Sequence, residues 1–195
     1  PVRIQSQLFN AAVALQSGQI LGAIPKTYLP NYREFQEARW FAAARDLKLA
    51  HVQIGRFQVP IGHNVLFRSG KLTIGIEICE DMWTPYTPGT RLALYGAQII
   101  FNLSASNELA GKNTYLRSLI SGLSSQNLCG YVYASAGYGE SSTDTVFTGK
   151  GFIAEVGKLL VETPRFTYEE RLIISDIDVM RIDNDRMTTN SFNDS

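Results

Sequence analysis

A thiol and an ammonium group stand out in this chain by type and position. Cys79 closes an alternating apolar run that turns abruptly polar, in Gly75-Ile76-Glu77-Ile78-Cys79-Glu80-Asp81-Met82-Trp83. A side chain at such a strand end is presented together with a free backbone N–H. Acyl transfer needs that pair: a reacting atom, and a donor aimed at the oxyanion that develops. The second group is Lys26, at the end of the apolar run before Thr27-Tyr28-Leu29-Pro30. Each has a plainer reading. A free cysteine is among the most buried residue types. A lysine at a strand end is ordinarily a solvated surface group or an edge guard. Glu34 and Glu37 read by themselves as solvent-facing helix residues, and Cys129 as plain core. From the residues alone both readings of Cys79 and Lys26 stay open.

The elements that must hold these groups read mostly as strands. Residues 8–16 and 19–26 flank Ser17-Gly18, residues 65–68 and 72–78 flank Ser69-Gly70, and residues 152–155 and 158–162 flank Val156-Gly157. These are three expected hairpins. Further strands are expected at 52–54, 98–103, 131–136 and 172–178. Residues 58–64, 80–85, 104–112 and 137–145 read as loops. Helical spacing predicts helices over 34–47, 88–95, 113–127 with Asn113 as N-cap, and 179–187. The tail 188–195 is polar and expected to be loose. Hairpins mixed with strand–helix–strand units imply an α/β layered sandwich with mixed sheets.

Composition narrows the function. Of 195 residues 45% are hydrophobic and 11% aromatic, and 18 Lys+Arg balance 18 Asp+Glu. That is ordinary for a compact domain. The zero balance gives no support to a nucleic-acid partner. No run is long enough for a membrane span, and the first residues lack a signal-peptide pattern. Two cysteines make no disulfide framework, so a reduced, cytoplasmic protein is expected. His51 and His63 are too few for most metal sites, and no metal is expected.

Two segments carry a resemblance. Lys-x-x-Leu-Pro-x-x-x-Glu-Phe-x-Glu-x-Arg-x-Phe runs from Lys26 to Phe41, and Gly-x-Glu-Ile-Cys-Glu-Asp-x-Trp from Gly75 to Trp83. Together they resemble the nitrilase-type carbon–nitrogen hydrolase family, and within it the amidohydrolase domains of glutamine-dependent NAD synthetases. Asn102–Asn107 and the stretch from Asp176 to Phe192 resemble the same group. The resemblance implies an αββα sandwich over residues 1–187, with residues 188–195 leading toward a synthetase domain. It implies Cys79 as nucleophile, Lys26 as catalytic lysine, and Glu34 as the glutamate that positions the lysine. It places Tyr32, Phe35, Glu80, Ser106 and Lys112 around a bound glutamine, with Lys112 where some relatives carry arginine. It implies no cofactor in this domain, ATP and magnesium in the synthetase domain, and a homo-oligomer. The chemistry is consistent with a nearby cation: an ordinary thiol is only a few per cent thiolate at neutral pH.

The family's general base is a glutamate upstream of the lysine. The 25 residues before Lys26 contain no Glu or Asp. The sequence is therefore expected to be an internal fragment, incomplete at its N-terminus, with an open sheet edge that favours association. It is expected not to turn glutamine over alone. A stand-alone amidase acting on another small amide, or a non-catalytic assembly fragment, are the alternatives.

Overall fold

A computed structural model of the chain describes residues 1–140 and 145–195. The expected loop over 137–145 thus lies partly outside the described residues. Four hairpins open the chain. They are β1 (Val2–Ile4) with β2 (Gln7–Phe9), β3 (Ala11–Gln16) with β4 (Gln19–Pro25), β5 (His51–Ile54) with β6 (Phe57–Pro60), and β7 (Phe67–Ser69) with β8 (Leu72–Ile78). Then follow α1 (Pro88–Leu94), β9 (Ile99–Ser104), α2 (Lys112–Gln126), β10 (Gly130–Ser135), a fifth hairpin β11 (Gly151–Glu155) with β12 (Lys158–Glu162), α3 (Val179–Thr188) and α4 (Asn190–Asn193).

One mixed sheet of six strands, ordered β12-β11-β10-β9-β8-β7, forms the centre. β8, β9 and β10 run parallel, and the flanking strands pair antiparallel. The α1 and α2 helices cover one face. Leu116, Ile120 and Leu123 recur at helical spacing on α2 and pack on Tyr131, Tyr133 and Phe152, which buries the apolar stripe of that helix. The β3–β4 hairpin lies against β8 on the opposite face through Ala12, Ile24 and Ile78. A second small core, with Phe9, Ala23, Val52 and Val59, joins the first three hairpins. This gives helices, sheet and a second strand layer in order, the mixed α/β architecture expected from sequence.

Alternation along β8 decides what faces what. Thr73, Gly75 and Glu77 point to the helix side, and Ile74 and Ile76 to the other. At Gly75 a Cβ would lie 2.9 Å from Ile100 Cδ1 and 3.0 Å from Leu92 Cβ. The absent side chain lets α1 settle on the sheet directly beside the strand that carries Cys79.

Several expectations are corrected. Residues 34–47 form no α-helix, only 3-10 turns at Glu37–Arg39 and Ala44–Asp46. Their backbone groups are committed elsewhere: Ala42 N–H donates to Leu8 O at 2.8 Å and Ala44 N–H to Lys26 O at 2.9 Å. The expected loop over 58–64 begins only after Pro60: residues 57–60 are a strand, with Pro60 at the strand end where a missing N–H is tolerated. The expected strand at 172–178 keeps its alternation but has no ladder partner. The segment instead crosses the sheet face, where Ile177 and Ile173 fill the space that the missing side chains of Gly130 and Gly151 leave open. The α2 helix begins one residue earlier than expected, and its N-cap is Gly111 at φ 79°, not Asn113. The tail is not wholly loose. Asn190–Asn193 is helical, and Asn193 donates to Arg186 O at 3.0 Å.

Arg186 locks α3 onto one end of the sheet. Its guanidinium donates to Ala97 O, Leu128 O and Asn127 O at 2.7, 3.0 and 3.2 Å. Replacing it by leucine leaves three inward carbonyls without that donor, and charged hydrogen bonds of this kind contribute about 3 kcal/mol. Urea denaturation of Arg186→Leu is expected to show a loss of that size.

Candidate functional site

Cys79 is the residue at which β8 stops. The chain turns there into a 3-10 stretch, Cys79–Trp83, and Cys79 takes φ 48°. A non-glycine residue in that region is uncommon and is held there only by its surroundings. Two carboxylates supply the hold. Asp81 is buried at 2% exposure and accepts from Ile78 N–H at 3.0 Å, within its own turn. It also accepts from Tyr28 N–H at 2.8 Å and Thr27 N–H at 3.1 Å, the two residues that follow Lys26. One side chain thus ties the end of β4 to the end of β8. Burial pushes the Asp81 carboxyl up to about 6, against the opposing pull of these donors and of Lys26.

Glu77 is fully buried on the helix side of the same strand. It accepts from Gly89 N–H at 2.6 Å and from the Tyr131 hydroxyl. A Cβ at Gly89 would stand 2.8 Å from the carboxylate, so only glycine allows this approach. Thr87 caps the helix that delivers Gly89, accepting from Thr90 N–H at 2.9 Å, with Pro88 at the first helical position. Asn102 links the Glu77 network to the turn by donating to Cys79 O at 3.4 Å.

Lys26 is 1% exposed and its ammonium meets Glu37 Oε1 at 2.5 Å. Asn10 also donates to Glu37, at 3.4 Å. This corrects the expected pairing: Glu37, not Glu34, holds the lysine. Glu34 instead accepts from the Asn107 side chain, across the pocket from Lys26's cleft. The helix expected over 34–47 would turn Glu37 to solvent. The 3-10 turn in its place brings Glu37 back over Lys26.

Two hollows meet at Cys79. The first has a volume of about 250 Å³ and is lined by all five residues expected around a small amide, Tyr32, Phe35, Glu80, Ser106 and Lys112. Glu34, Trp83 and Asn107 also line it. The second is lined by Asn10, Lys26, Glu37, Ser104 and Ser135, with Cys79 in common. The structure therefore brings Cys79 and Lys26 to one cleft and the five pocket residues to the other side of the same thiol.

The first pocket is mixed in charge. The Tyr32 hydroxyl donates to Glu80 Oε1 at 2.7 Å; burial and that carboxylate push the tyrosine up to about 12, so it stays a donor across the working pH range. Lys112 donates to Asn107 Oδ1 at 2.9 Å, and its ammonium lies 5.4 Å from the centre of the Trp83 ring. Burial lowers the Lys112 pKa, while Cys79 and the carboxylates of Glu108, Glu34 and Glu80 oppose the shift. Cys129 is fully buried under the sheet, and burial pushes its thiol up to about 12. It is the inert thiol of the two. Sequence reasoning missed Asp81, Asn107 and the pairing of Glu37. The signal for Asp81 was its place two residues after Cys79, in the acidic pair Glu80-Asp81 that opens the turn.

Burial raises Glu77 to about 7, far above an ordinary glutamate, and only partly offset by its hydrogen bonds from Tyr131, Gly89 and Asn102. The folded state then holds a proton that the unfolded chain gives up from about pH 4.5. Stability is full below that pH and falls as pH rises toward about 7, by up to about 3 kcal/mol. Denaturant midpoints across pH 4–8 are expected to show this fall, and Glu77→Gln to remove its upper part toward pH 7 while leaving the part that Asp81, raised to about 6, contributes below it.

Comparison with known proteins places these features in a family. The family model described as carbon-nitrogen hydrolase matches residues 2–187. The chain is 38% identical over 198 aligned residues to the glutamine-dependent NAD(+) synthetase of Mycobacterium leprae, covering 100% of this chain and 29% of that protein. The crystal structure of a glutamine-dependent NAD(+) synthetase from Cytophaga hutchinsonii superposes with a TM-score of 0.76 at 29% identity, over 87% of this chain and 27% of that one. A carbon-nitrogen hydrolase from Helicobacter pylori shares the fold at 19% identity, with a TM-score of 0.75 over 100% of this chain and 65% of that one. The chain thus spans under a third of the length of the two synthetases.

Proposed function

The chain belongs to the carbon–nitrogen hydrolase family, and on that premise we propose that it carries the glutamine-amide-hydrolysing site of a glutamine-dependent NAD synthetase. The observation that carries the reading is the position of Cys79, at a strained turn between the Lys26 cleft and a mixed-charge pocket of small-molecule size. Pocket charge supports an amino-acid substrate. Glu80 and Lys112 offer an acceptor for an α-ammonium and a donor for an α-carboxylate, and Phe35 offers apolar surface to the methylenes.

In this reading the Cys79 thiolate attacks the side-chain amide carbon. The carbonyl oxygen becomes an oxyanion, met by the Lys26 ammonium and the Glu80 backbone N–H. The carbon–nitrogen bond breaks, the nitrogen takes the proton that the Cys79 thiol gave up, carried across by a further base, and leaves as ammonia, and a thioester remains on Cys79. Water then adds, the carbon–sulfur bond breaks, and glutamate leaves with the thiol restored. Glu37 orients Lys26. It is the single carboxylate among the described residues lining that cleft, and it is already committed to the lysine. No described side chain is free to take the protons of the cycle there, so the 195-residue chain alone is proposed not to turn over. The reading assigns the ammonia to ATP- and magnesium-dependent amidation in a synthetase domain, with no cofactor in the domain described. It also includes a homo-oligomer, for which the uncovered apolar side chains Leu15 and Leu103 are the support.

Limiting iodoacetamide followed by peptide mapping tests the nucleophile. Cys79, partly exposed between the two hollows, is expected to label much faster than the fully buried Cys129. Equal labelling of both thiols would contradict the assignment. Ammonia release from the pure chain, lost in Cys79→Ser, would contradict the proposed dependence on a further base.

A further inference from the structure

One buried amide in the first pocket is not used by the proposed chemistry. Asn107 is 6% exposed and engages both ends of its side chain. Its NH2 donates to the Glu34 carboxylate and its carbonyl oxygen accepts from the Lys112 ammonium. A carboxylate can only accept and an ammonium can only donate, so the orientation of the amide is fixed by its two neighbours.

Lys112 needs such a tether. It is the first residue of α2, where the positive end of the helix dipole disfavours a cation. An ammonium is also a point charge on a flexible stem, without the planar fork that lets arginine fix its own geometry. Left alone, it would swing toward water. Asn107 from one side and the Trp83 ring from the other hold it at the pocket wall, and Trp83 is itself backed by Tyr115, with ring centres 5.6 Å apart. Glu34, the residue that does not reach Lys26, thereby acquires a role: it anchors the amide that aims the cation.

We infer that Asn107, oriented by Glu34, is a positioning residue that holds the Lys112 ammonium toward the α-carboxylate of the substrate and so restricts the pocket to side-chain amides of α-amino acids. The inference rests on the glutamine-hydrolysing reading and adds to it a source of selectivity.

The test is protection of Cys79 from iodoacetamide by two ligands, L-glutamine and 4-aminobutanamide, which lacks the α-carboxylate. With the wild-type chain, half-protection is expected at a lower concentration of glutamine than of 4-aminobutanamide. Asn107→Ala is expected to raise the glutamine concentration about tenfold, the effect of losing one charge-assisted hydrogen bond, and to leave that of 4-aminobutanamide unchanged. Glu34→Ala, at an exposed position, is expected to shift the same ligand in the same direction by less, and serves if Asn107→Ala does not fold. Equal shifts for both ligands, or no shift for glutamine, would overturn the inference and leave the glutamine reading standing. Failure of glutamine to protect the wild-type thiol would overturn that reading and the inference with it.

Discussion

The carboxylate of Asp81 joins the two layers of this fold at the point where its chemistry would occur. It accepts from Ile78 on the six-stranded sheet and from Thr27 and Tyr28 at the end of β4, in the other layer. Lys26 and Cys79 lie 53 residues apart in sequence, and each immediately precedes or follows one of those donors. A carboxylate taken out of water is costly unless its lone pairs are filled by donors. Here the donors come from both segments, so neither strand end can shift without leaving Asp81 or the amides unpaired. The separation of lysine and thiol is therefore fixed by a buried group that would touch neither substrate nor product.

Around that clamp the burial of polar side chains follows a common logic. Glu77 on one side of β8 and the Lys26–Glu37 pair on the other are taken from water, and each is enclosed by named partners. Buried ionic groups contribute little net stability, but breaking one is expensive. Such groups act as locks on geometry more than as sources of stability. The apolar contacts of Leu116, Ile120 and Phe152 hold the sheet and helices together, and the polar locks set where the thiol and the lysine end up.

Much of the fold was legible because it is written in local patterns. The hairpins at Ser17-Gly18, Ser69-Gly70 and Val156-Gly157, the alternation of β8 and the apolar stripe of α2 all appear where residue periodicity places them. Cys79 and Lys26 were legible as strand-end groups. What the sequence concealed was decided by distant partners. Residues 34–47 carry helical spacing, yet Leu8 and Lys26 capture their backbone groups. The same capture carries Glu37 to the lysine and leaves Glu34 for Asn107. The strand-like alternation of 172–178 is real, but its apolar side chains pack over Gly130 and Gly151 on the sheet face and the segment joins no ladder. No window of local sequence contains that information.

The central claim is that the Asp81 clamp and Lys26 make Cys79 a nucleophile toward a bound glutamine side chain. Treatment with 6-diazo-5-oxo-L-norleucine, a diazoketone analogue of glutamine, followed by intact-mass and peptide analysis, tests it most directly. The account predicts a single adduct on Cys79, none on Cys129, blocked by glutamine and greatly slowed in Asp81→Asn. An adduct that forms equally fast in Asp81→Asn and Lys26→Met, or none on Cys79 at all, would contradict it.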